Sequence, residues 1–186
     1  MAERSRSAPP ATREAELTVG SDMFRRGMSR LGAAVNVLTT DGPAGRFGMT
    51  ATAVSSVTDQ PPTLLVCVNR ANYSHDRFKE NGVLCVNVLA GRHRALSEAF
   101  AGRDLSSDRR FEGADWQCLA TGAPALADAV VAFDTRITQV TEVGTHSVFF
   151  CEVVDLHFGG SAESLIYFDR AFHPIAADGA AKPGER

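Results

Sequence analysis

Apolar and polar residues alternate along much of this chain, with the period of two that is typical of β-strands with one buried face. The clearest alternation covers residues 129–143 and predicts one long strand. Gly144-Thr145-His146 is interpreted as a turn, and residues 147–158 predict the returning strand of a hairpin. A last short strand is predicted at residues 165–168.

Apolar runs in the first half predict further strands. Residues 34–40 are β-branched and lead into a turn at 41–45, which predicts a hairpin. Residues 63–68 are almost continuously apolar and predict a strand buried on both faces, and residues 83–89 predict another apolar strand. Between them, residues 48–58 predict one strand rich in small hydroxyl side chains.

Helical spacing of apolar residues is confined to short segments. Residues 23–31 predict an amphipathic helix that ends at Gly32, and residues 75–82 and 93–100 predict two more helices. The polar, charged segment 103–115 predicts a loop, in which Arg109-Arg110 is expected to face solvent.

Many strands with a few short helices, and no regular β-α-β alternation, predict a mainly β fold built as a closed or split β-barrel. One domain is expected at residues 21–175. Residues 1–20 and 176–186 lack hydrophobic periodicity and predict a mobile N-terminal tail and a C-terminal tail.

Composition narrows the possible functions. The 186 residues are 44% hydrophobic and 22% charged with a net charge of −3, which argues against a nucleic-acid-binding protein. The longest apolar runs are too short to cross a bilayer, and residues 1–13 contain no apolar segment, so a cytoplasmic protein is expected. The four cysteines lack metal-ligand spacing, so no metal site is predicted, and Cys67 is expected to serve packing.

Catalytic motifs that carry their own chemistry are missing from the sequence. We find no Gly-x-Gly-x-x-Gly after a strand, no P-loop, no Gly-x-Ser-x-Gly and no His-Glu-x-x-His. An enzyme built on this chain would therefore depend on a cofactor. The hydroxyl-rich segment 48–58 offers donors for a phosphate or a heteroaromatic edge, although its hydroxyls could equally bond the local backbone.

Eight motifs follow one another along the chain: Phe24-Arg-Arg-Gly-Met28, Gly32-Ala-Ala-Val-Asn-Val-Leu-Thr-Thr40, Gly48-Met-Thr-Ala-Thr-Ala-Val-Ser-Ser-Val-Thr58, Pro62-Thr-Leu-Leu-Val-Cys-Val-Asn69, Leu84-Cys-Val-Asn-Val-Leu89, Phe100-Ala-Gly102, Gly144-Thr-His146 and Tyr167-Phe-Asp-Arg-Ala-Phe-His173. In this order they resemble the short-chain NAD(P)H:flavin oxidoreductases, the reductase components of two-component flavin monooxygenases. The resemblance covers residues 22–175. It is strongest to the FMN reductases of pyrimidine utilisation and the reductase components of 4-hydroxyphenylacetate 3-monooxygenase.

The resemblance implies a split barrel of the flavin-reductase type, usually a homodimer with flavin near the subunit interface. It also implies which residues contact FMN or FAD: Thr50, Ala51, Thr52, Ala53, Val54, Ser56, Val57, Cys67, Val68, Asn69, Ser74, Phe100, Ala101 and Gly102. His146 matches the family histidine beside the nicotinamide. Tyr167, Arg170 and His173 belong to the segment that shapes the nicotinamide side.

The expected function is hydride transfer from NADH to FMN or FAD, with release of reduced flavin to a partner monooxygenase. Two alternatives stay open: a flavin-mediated ferric or cobalt-corrinoid reductase, and a non-catalytic flavin- or haem-binding split barrel. His146 could also be a solvated turn residue, His173 a packed one, and Asn69 a turn former, while Asn87 is expected to be structural. The sequence leaves FMN against FAD, and NADH against NADPH, undecided.

Overall fold

Strands dominate the structure, a computed structural model that describes residues 19–102 and 106–176. The two predicted tails lie almost entirely outside these residues, as do residues 103–105 of the predicted loop. In chain order the elements are α1 (Ser21–Met28), β1 (Ala33–Ala34), β2 (Asn36–Thr40), β3 (Phe47–Ala51), β4 (Val54–Asp59), β5 (Pro62–Asn69), α2 (His75–Asn81), β6 (Val83–Val88), a 3-10 turn (Gly91–His93), α3 (Arg94–Ala101), α4 (Ser107–Phe111), β7 (Trp116–Cys118), β8 (Pro124–Leu126), β9 (Val131–Val143), β10 (His146–His157), β11 (Glu163–Phe168) and β12 (Ala171–Ala176).

A seven-stranded antiparallel sheet in the order β3-β2-β6-β9-β10-β5-β4 forms the body of the molecule. Its two edge strands, β3 and β4, are consecutive in the chain but do not pair with each other in the described structure. The sheet is therefore a barrel left open between its first and last strands, and the predicted mainly β split barrel is confirmed. β1, β11 and β12 form a second, three-stranded sheet.

The predicted hairpins are present with one shift of boundary. β2 pairs with β3 across residues 41–46, and β9 pairs with β10. The second turn is shorter than predicted, because His146 already pairs with Val143 as the first residue of β10. Gly144 adopts a φ of +55°, a conformation that glycine reaches without the steric penalty of a side chain.

The hydroxyl-rich segment 48–58 was predicted as one strand, and this prediction is wrong. It forms β3 and β4, which are separated by Thr52 and Ala53. The reason lies in the topology, since β3 pairs with β2 at one edge of the sheet and β4 pairs with β5 at the other. The chain must therefore leave one ladder before it joins the next.

β2 and β6 are the strands buried on both faces. Leu38 and Val86 pack into an inner cluster with Phe149, whereas Val37 and Cys85 pack into an outer cluster. The outer cluster is covered by α3 and by the β7–β8 hairpin. Alternate side chains of a strand point to opposite faces, so a strand covered on both faces buries every side chain. Each of its side chains is therefore apolar or hydrogen-bonded.

β5 was predicted to be buried on both faces, and the structure shows only one buried face. Val66 and Val68 are fully buried in the inner cluster, while Leu65 and Cys67 on the opposite face are half-buried. The outer layer lies over β2, β3 and β6 rather than over β5. One side of β5 therefore stays open.

β7, β8, α4 and β12 were not predicted, because they are too short or too irregular to show a period. Of the two arginines expected to face solvent, Arg109 in α4 is exposed, but Arg110 is only 3% exposed, so the expectation is wrong for Arg110. Its guanidinium lies 4.6 Å from the centre of the Tyr73 ring, and it donates hydrogen bonds to the Tyr73 hydroxyl and the Phe100 carbonyl oxygen.

Asn87 joins the barrel to the β7–β8 hairpin. Its side chain is fully buried, its Nδ2 donates to the Val37 carbonyl oxygen at 3.0 Å, and its Oδ1 accepts from the Leu126 N–H at 2.7 Å. A buried amide with both ends bonded is a structural group, as the sequence analysis expected of Asn87.

Replacing Asn87 with alanine should lower the free energy of unfolding by about 2–3 kcal/mol, because the Leu126 N–H and Val37 carbonyl would lose buried partners. Urea unfolding measures the change. Gln139→Ala, at an exposed position on β9, is the matched control and should stay within about 0.5 kcal/mol of the parent. Equal stabilities for the two variants would contradict this role.

Candidate functional site

The gap between β3 and β4 exposes the backbone of Thr52 and Ala53. Ala53 accepts a hydrogen bond from the Cys67 N–H at 3.0 Å, and Thr52 accepts one from the Val54 N–H at 3.0 Å. The N–H groups of Thr52 and Ala53 themselves have no hydrogen-bond acceptor within residues 19–102 and 106–176. Two adjacent backbone donors are thus available to a bound molecule.

A larger cavity of about 880 Å³ lies on one side of this gap. Helix α1, the β1 region, the gap and β5 form its walls, and the lining residues are Arg25, Met28, Ser29, Leu31, Gly32, Ala33, Ala34, Thr52, Ala53, Val54, Ser55, Leu65, Cys67, Tyr167 and Arg170. The side chains around the gap are small, which lets a flat ring approach the backbone closely.

A smaller cavity of about 580 Å³ adjoins the first. Its lining residues are Val35, Thr50, Ala51, Thr52, Glu98, Ala101, Gly102, Tyr167, Arg170 and Phe172. Thr52, Tyr167 and Arg170 line both cavities, so these three residues form a common wall.

The structure brings many of the sequence-predicted residues together around these cavities: Thr50, Ala51, Thr52, Ala53, Val54, Cys67, Ala101, Gly102, Tyr167 and Arg170. They come from β3, β4, β5, α3 and the β11–β12 hairpin, which are far apart in sequence. The Thr50 hydroxyl donates to the Ser97 carbonyl oxygen at 2.6 Å and so fixes α3 against β3.

Other predicted residues lie outside both linings. Val68 and Phe100 are buried in the core, and the Phe100 ring lies 5.0 Å from that of Phe111. Ser74 is fully buried, and its hydroxyl donates to the Gly48 carbonyl oxygen at 3.1 Å, while Asn69 accepts the Ala71 N–H in a turn.

Ser56 and Val57 lie in β4 beyond the cavities and are exposed. His173 is an exposed residue of β12 whose Nε2 donates to the Phe168 carbonyl oxygen at 3.1 Å. This bond is consistent with a local structural role for His173.

His146 shares a sheet face with the lining of the larger cavity. β5 and β10 pair in continuous register, with Cys67 opposite Val148 and Asn69 opposite His146. Directly opposed residues of an antiparallel pair lie on one face, as do residues two apart in a strand. His146 therefore stands one row beyond Cys67, exposed, with its Nδ1 3.0 Å from the Thr145 hydroxyl.

Cys67 is the cysteine that lines a cavity, and burial raises the pKa of its thiol above the ordinary value. The pKa of Cys151 is raised by burial to about 12. Both side chains are consequently neutral thiols near neutral pH, and a neutral thiol is a poor nucleophile. All four cysteines are unpaired, and Cys67 contributes shape rather than reactivity.

Several lining residues were missed by the sequence analysis. Glu98 and Phe172 line the smaller cavity, and Leu65 and Arg25 line the larger one. Leu65 could have been found by strand alternation, because it lies two residues from Cys67. Nothing in the sequence indicates that α1 lies beside the gap, so Arg25 could not be predicted as a lining residue.

The described part of the chain contains neither a metal-binding cluster nor a membrane-spanning helix. Within residues 19–102 and 106–176, no cluster of three or more histidine, cysteine or acidic side chains has metal-binding geometry. No helix in the same residues has the length and apolar character needed to span a membrane.

Comparison with known proteins identifies the family of the chain. Residues 28–176 match the family model described as a flavin reductase like domain. The chain is 54% identical over 170 residues to FMN reductase (NADH) RutF of Variovorax paradoxus, covering 91% of this chain and 90% of that protein.

Two solved structures share the fold. The NADH:FAD oxidoreductase SgcE6 of Streptomyces globisporus, solved with NAD and FAD fragments, is 28% identical with a TM-score of 0.77, covering 85% of this chain and 94% of that one. BorF, the flavin reductase component of a bacterial two-component tryptophan halogenase, is 28% identical with a TM-score of 0.79, covering 85% and 99%. With its split barrel and the two cavities that meet at Thr52, the chain belongs to the flavin reductase like family.

Proposed function

We propose that this protein catalyses the reduction of FMN by NADH. The observation that carries the proposal is the pair of unpartnered N–H groups of Thr52 and Ala53 at the junction of two cavities. A flavin ring accepts hydrogen bonds along its polar edge, and this edge gains negative charge when the ring receives a hydride. The two donors fit that edge.

The proposed role of the protein side chains is to position the flavin and nicotinamide rings rather than to act as acids or bases. Hydride transfer requires two stacked rings at van der Waals distance. Thr52, Tyr167 and Arg170 line both cavities, so rings bound at this junction would lie next to each other. Ala53 and Gly102 have minimal side chains, so the rings can approach the backbone. Tyr167, packed edge-on against Phe172 at 5.4 Å, gives the common wall a rigid apolar surface.

The relatives support the choice of substrates. The relative at 54% identity is named for FMN and NADH, whereas the FAD-dependent SgcE6 is 28% identical. We therefore propose FMN and NADH for this chain. BorF works as one component of a two-component halogenase, which supports release of the reduced flavin to a partner oxygenase.

A bulky residue at the gap should prevent FMN binding. In Ala53→Phe the new ring would occupy the part of the larger cavity beside the two backbone donors, so the FMN-dependent loss of NADH absorbance should fall at least about 100-fold. The matched control is Ala162→Phe at an exposed position, which should keep the parent rate. Absence of NADH oxidation by the parent protein with FMN would refute the proposed function.

His146→Ala should reduce NADH turnover about tenfold while FMN affinity changes less than about twofold, because His146 lies on the cavity face beyond Cys67 and is proposed to orient the nicotinamide. Steady-state kinetics and FMN fluorescence titration separate the two effects. Gln139→Ala serves as the control. Equal losses of turnover and FMN affinity would place His146 on the flavin instead.

A homodimer is proposed as the working form, because the larger cavity is bordered by an amphipathic helix whose apolar side chains are exposed. α1 has no buried residue: its Met23 and Phe24 are 68% and 61% exposed, and Leu31 just after the helix is 62% exposed. Exposed apolar surface of this kind marks interfaces.

Sedimentation analysis should give a dimer mass for the parent and a monomer mass for Phe24→Asp. Arg26→Ala, on the same helix, changes the net charge by the same one unit and is the control. A monomeric parent that turns over NADH at full rate would contradict the dimer.

The cytoplasm is the proposed location, supported by the four unpaired cysteines, which suit a reducing compartment. Cell fractionation followed by immunoblotting tests this assignment, and recovery in an oxidising compartment would reject it.

A further inference from the structure

The turn of the β11–β12 hairpin contains two residues whose side-chain types are unusual for their backbone conformation. Phe168 pairs with Ala171, which leaves Asp169 and Arg170 as a two-residue loop. Their φ angles are +48° and +65°. Positive φ at both central positions is the pattern of a type I′ turn, for which Asn-Gly and Asp-Gly are strongly preferred. Arginine at the second position carries backbone strain that glycine would relieve.

Asp169 holds this turn against the beginning of the chain. Its N–H donates to the Ser29 carbonyl oxygen at 2.7 Å, and its carboxylate pairs with Arg30 at 3.2 Å. These two contacts tie the turn to the segment that follows α1. Arg170, the next residue of the turn, lines both cavities.

Among the charged residues that line the cavities, Arg170 differs from the others. Arg25 is paired with Asp22, and Glu98 is paired with Arg94 at 3.1 Å. Arg170 forms no ion pair or hydrogen bond within residues 19–102 and 106–176, and it is exposed. Its positive charge is thus available where the two cavities meet.

We infer that Arg170 is kept in this strained conformation because its guanidinium stabilises the anionic, reduced state of the flavin ring. This inference rests on the proposed function. Strained residues that persist in a fold concentrate at functional sites, and here the strain coincides with an available charge between two cavities.

The charge change in the reaction explains the preference for one redox state. A hydride, which carries two electrons and one proton, would move from nicotinamide C4 to flavin N5. NADH would thereby become NAD⁺, and the flavin would gain both electrons. The neutral ring becomes an anion. A guanidinium at the cavity junction attracts this anion and repels the nicotinamide cation, so it favours the products over the reactants.

Binding of oxidised and reduced FMN to Arg170→Ala tests the inference, with reduced FMN prepared by dithionite under anaerobic conditions. We expect reduced FMN to bind about tenfold more weakly and oxidised FMN to change less than about twofold. The midpoint potential of bound FMN should then fall by about 30 mV, the equivalent of tenfold for a two-electron couple. Arg170→Lys should retain most of the parent value, and Arg26→Ala is the control for loss of a surface charge.

Arg170→Gly separates the conformational part from the electrostatic part. It should show the same selective loss of reduced FMN, while its melting temperature rises by about 2–4 °C because the strain is removed. Equally weaker binding of oxidised and reduced FMN to Arg170→Ala, or an unchanged midpoint potential, would overturn the inference. NADH turnover by the parent protein tests the proposed function separately, so the two failures can be told apart. An Arg170→Gly protein less stable than the parent would likewise overturn the inference.

Discussion

The structure depends on one topological constraint: β3 and β4 follow each other in the chain yet occupy opposite edges of the seven-stranded sheet. Backbone groups in a strand are satisfied by the neighbouring strand, whereas the two residues that cross between the edges keep N–H groups without an acceptor in the described residues. Thr52 and Ala53 are those residues. The donors proposed to bind flavin thus result from the way in which the barrel is left open, and the small side chains around them keep that opening accessible.

The sequence predicted the strands with a clear period and failed where burial or length removed it. β9 and β10 alternate over more than ten residues, so their hairpin was identified within a few residues of its observed bounds. β7 and β8 have three residues each, which is too few to show a period. Continuous apolar character in residues 63–68 suggested two buried faces, but composition cannot show that the outer layer stops before β5.

Much of the candidate site could be predicted from the sequence, because the resemblance aligned Thr50, Thr52, Cys67 and Arg170 with family positions, and the structure groups them around two cavities. The other features of the site follow only from the three-dimensional structure. Which N–H groups lack a partner depends on sheet order, and the positive φ of Arg170 depends on hairpin register. Arg110 shows the same limit, since two adjacent arginines look alike in sequence while one is buried against Tyr73.

Helix α1 has a consequence for how the protein behaves on dilution. It has eight residues and none of them is buried, whereas isolated helices in water need roughly 12–15 residues to persist. Met28 and Leu31 of this region nevertheless form part of the larger cavity wall. In the proposed dimer, the partner copy would cover α1 and hold this part of the wall in place. With a second copy of the chain as that cover, specific activity becomes a function of protein concentration and declines below the dissociation constant of the pair.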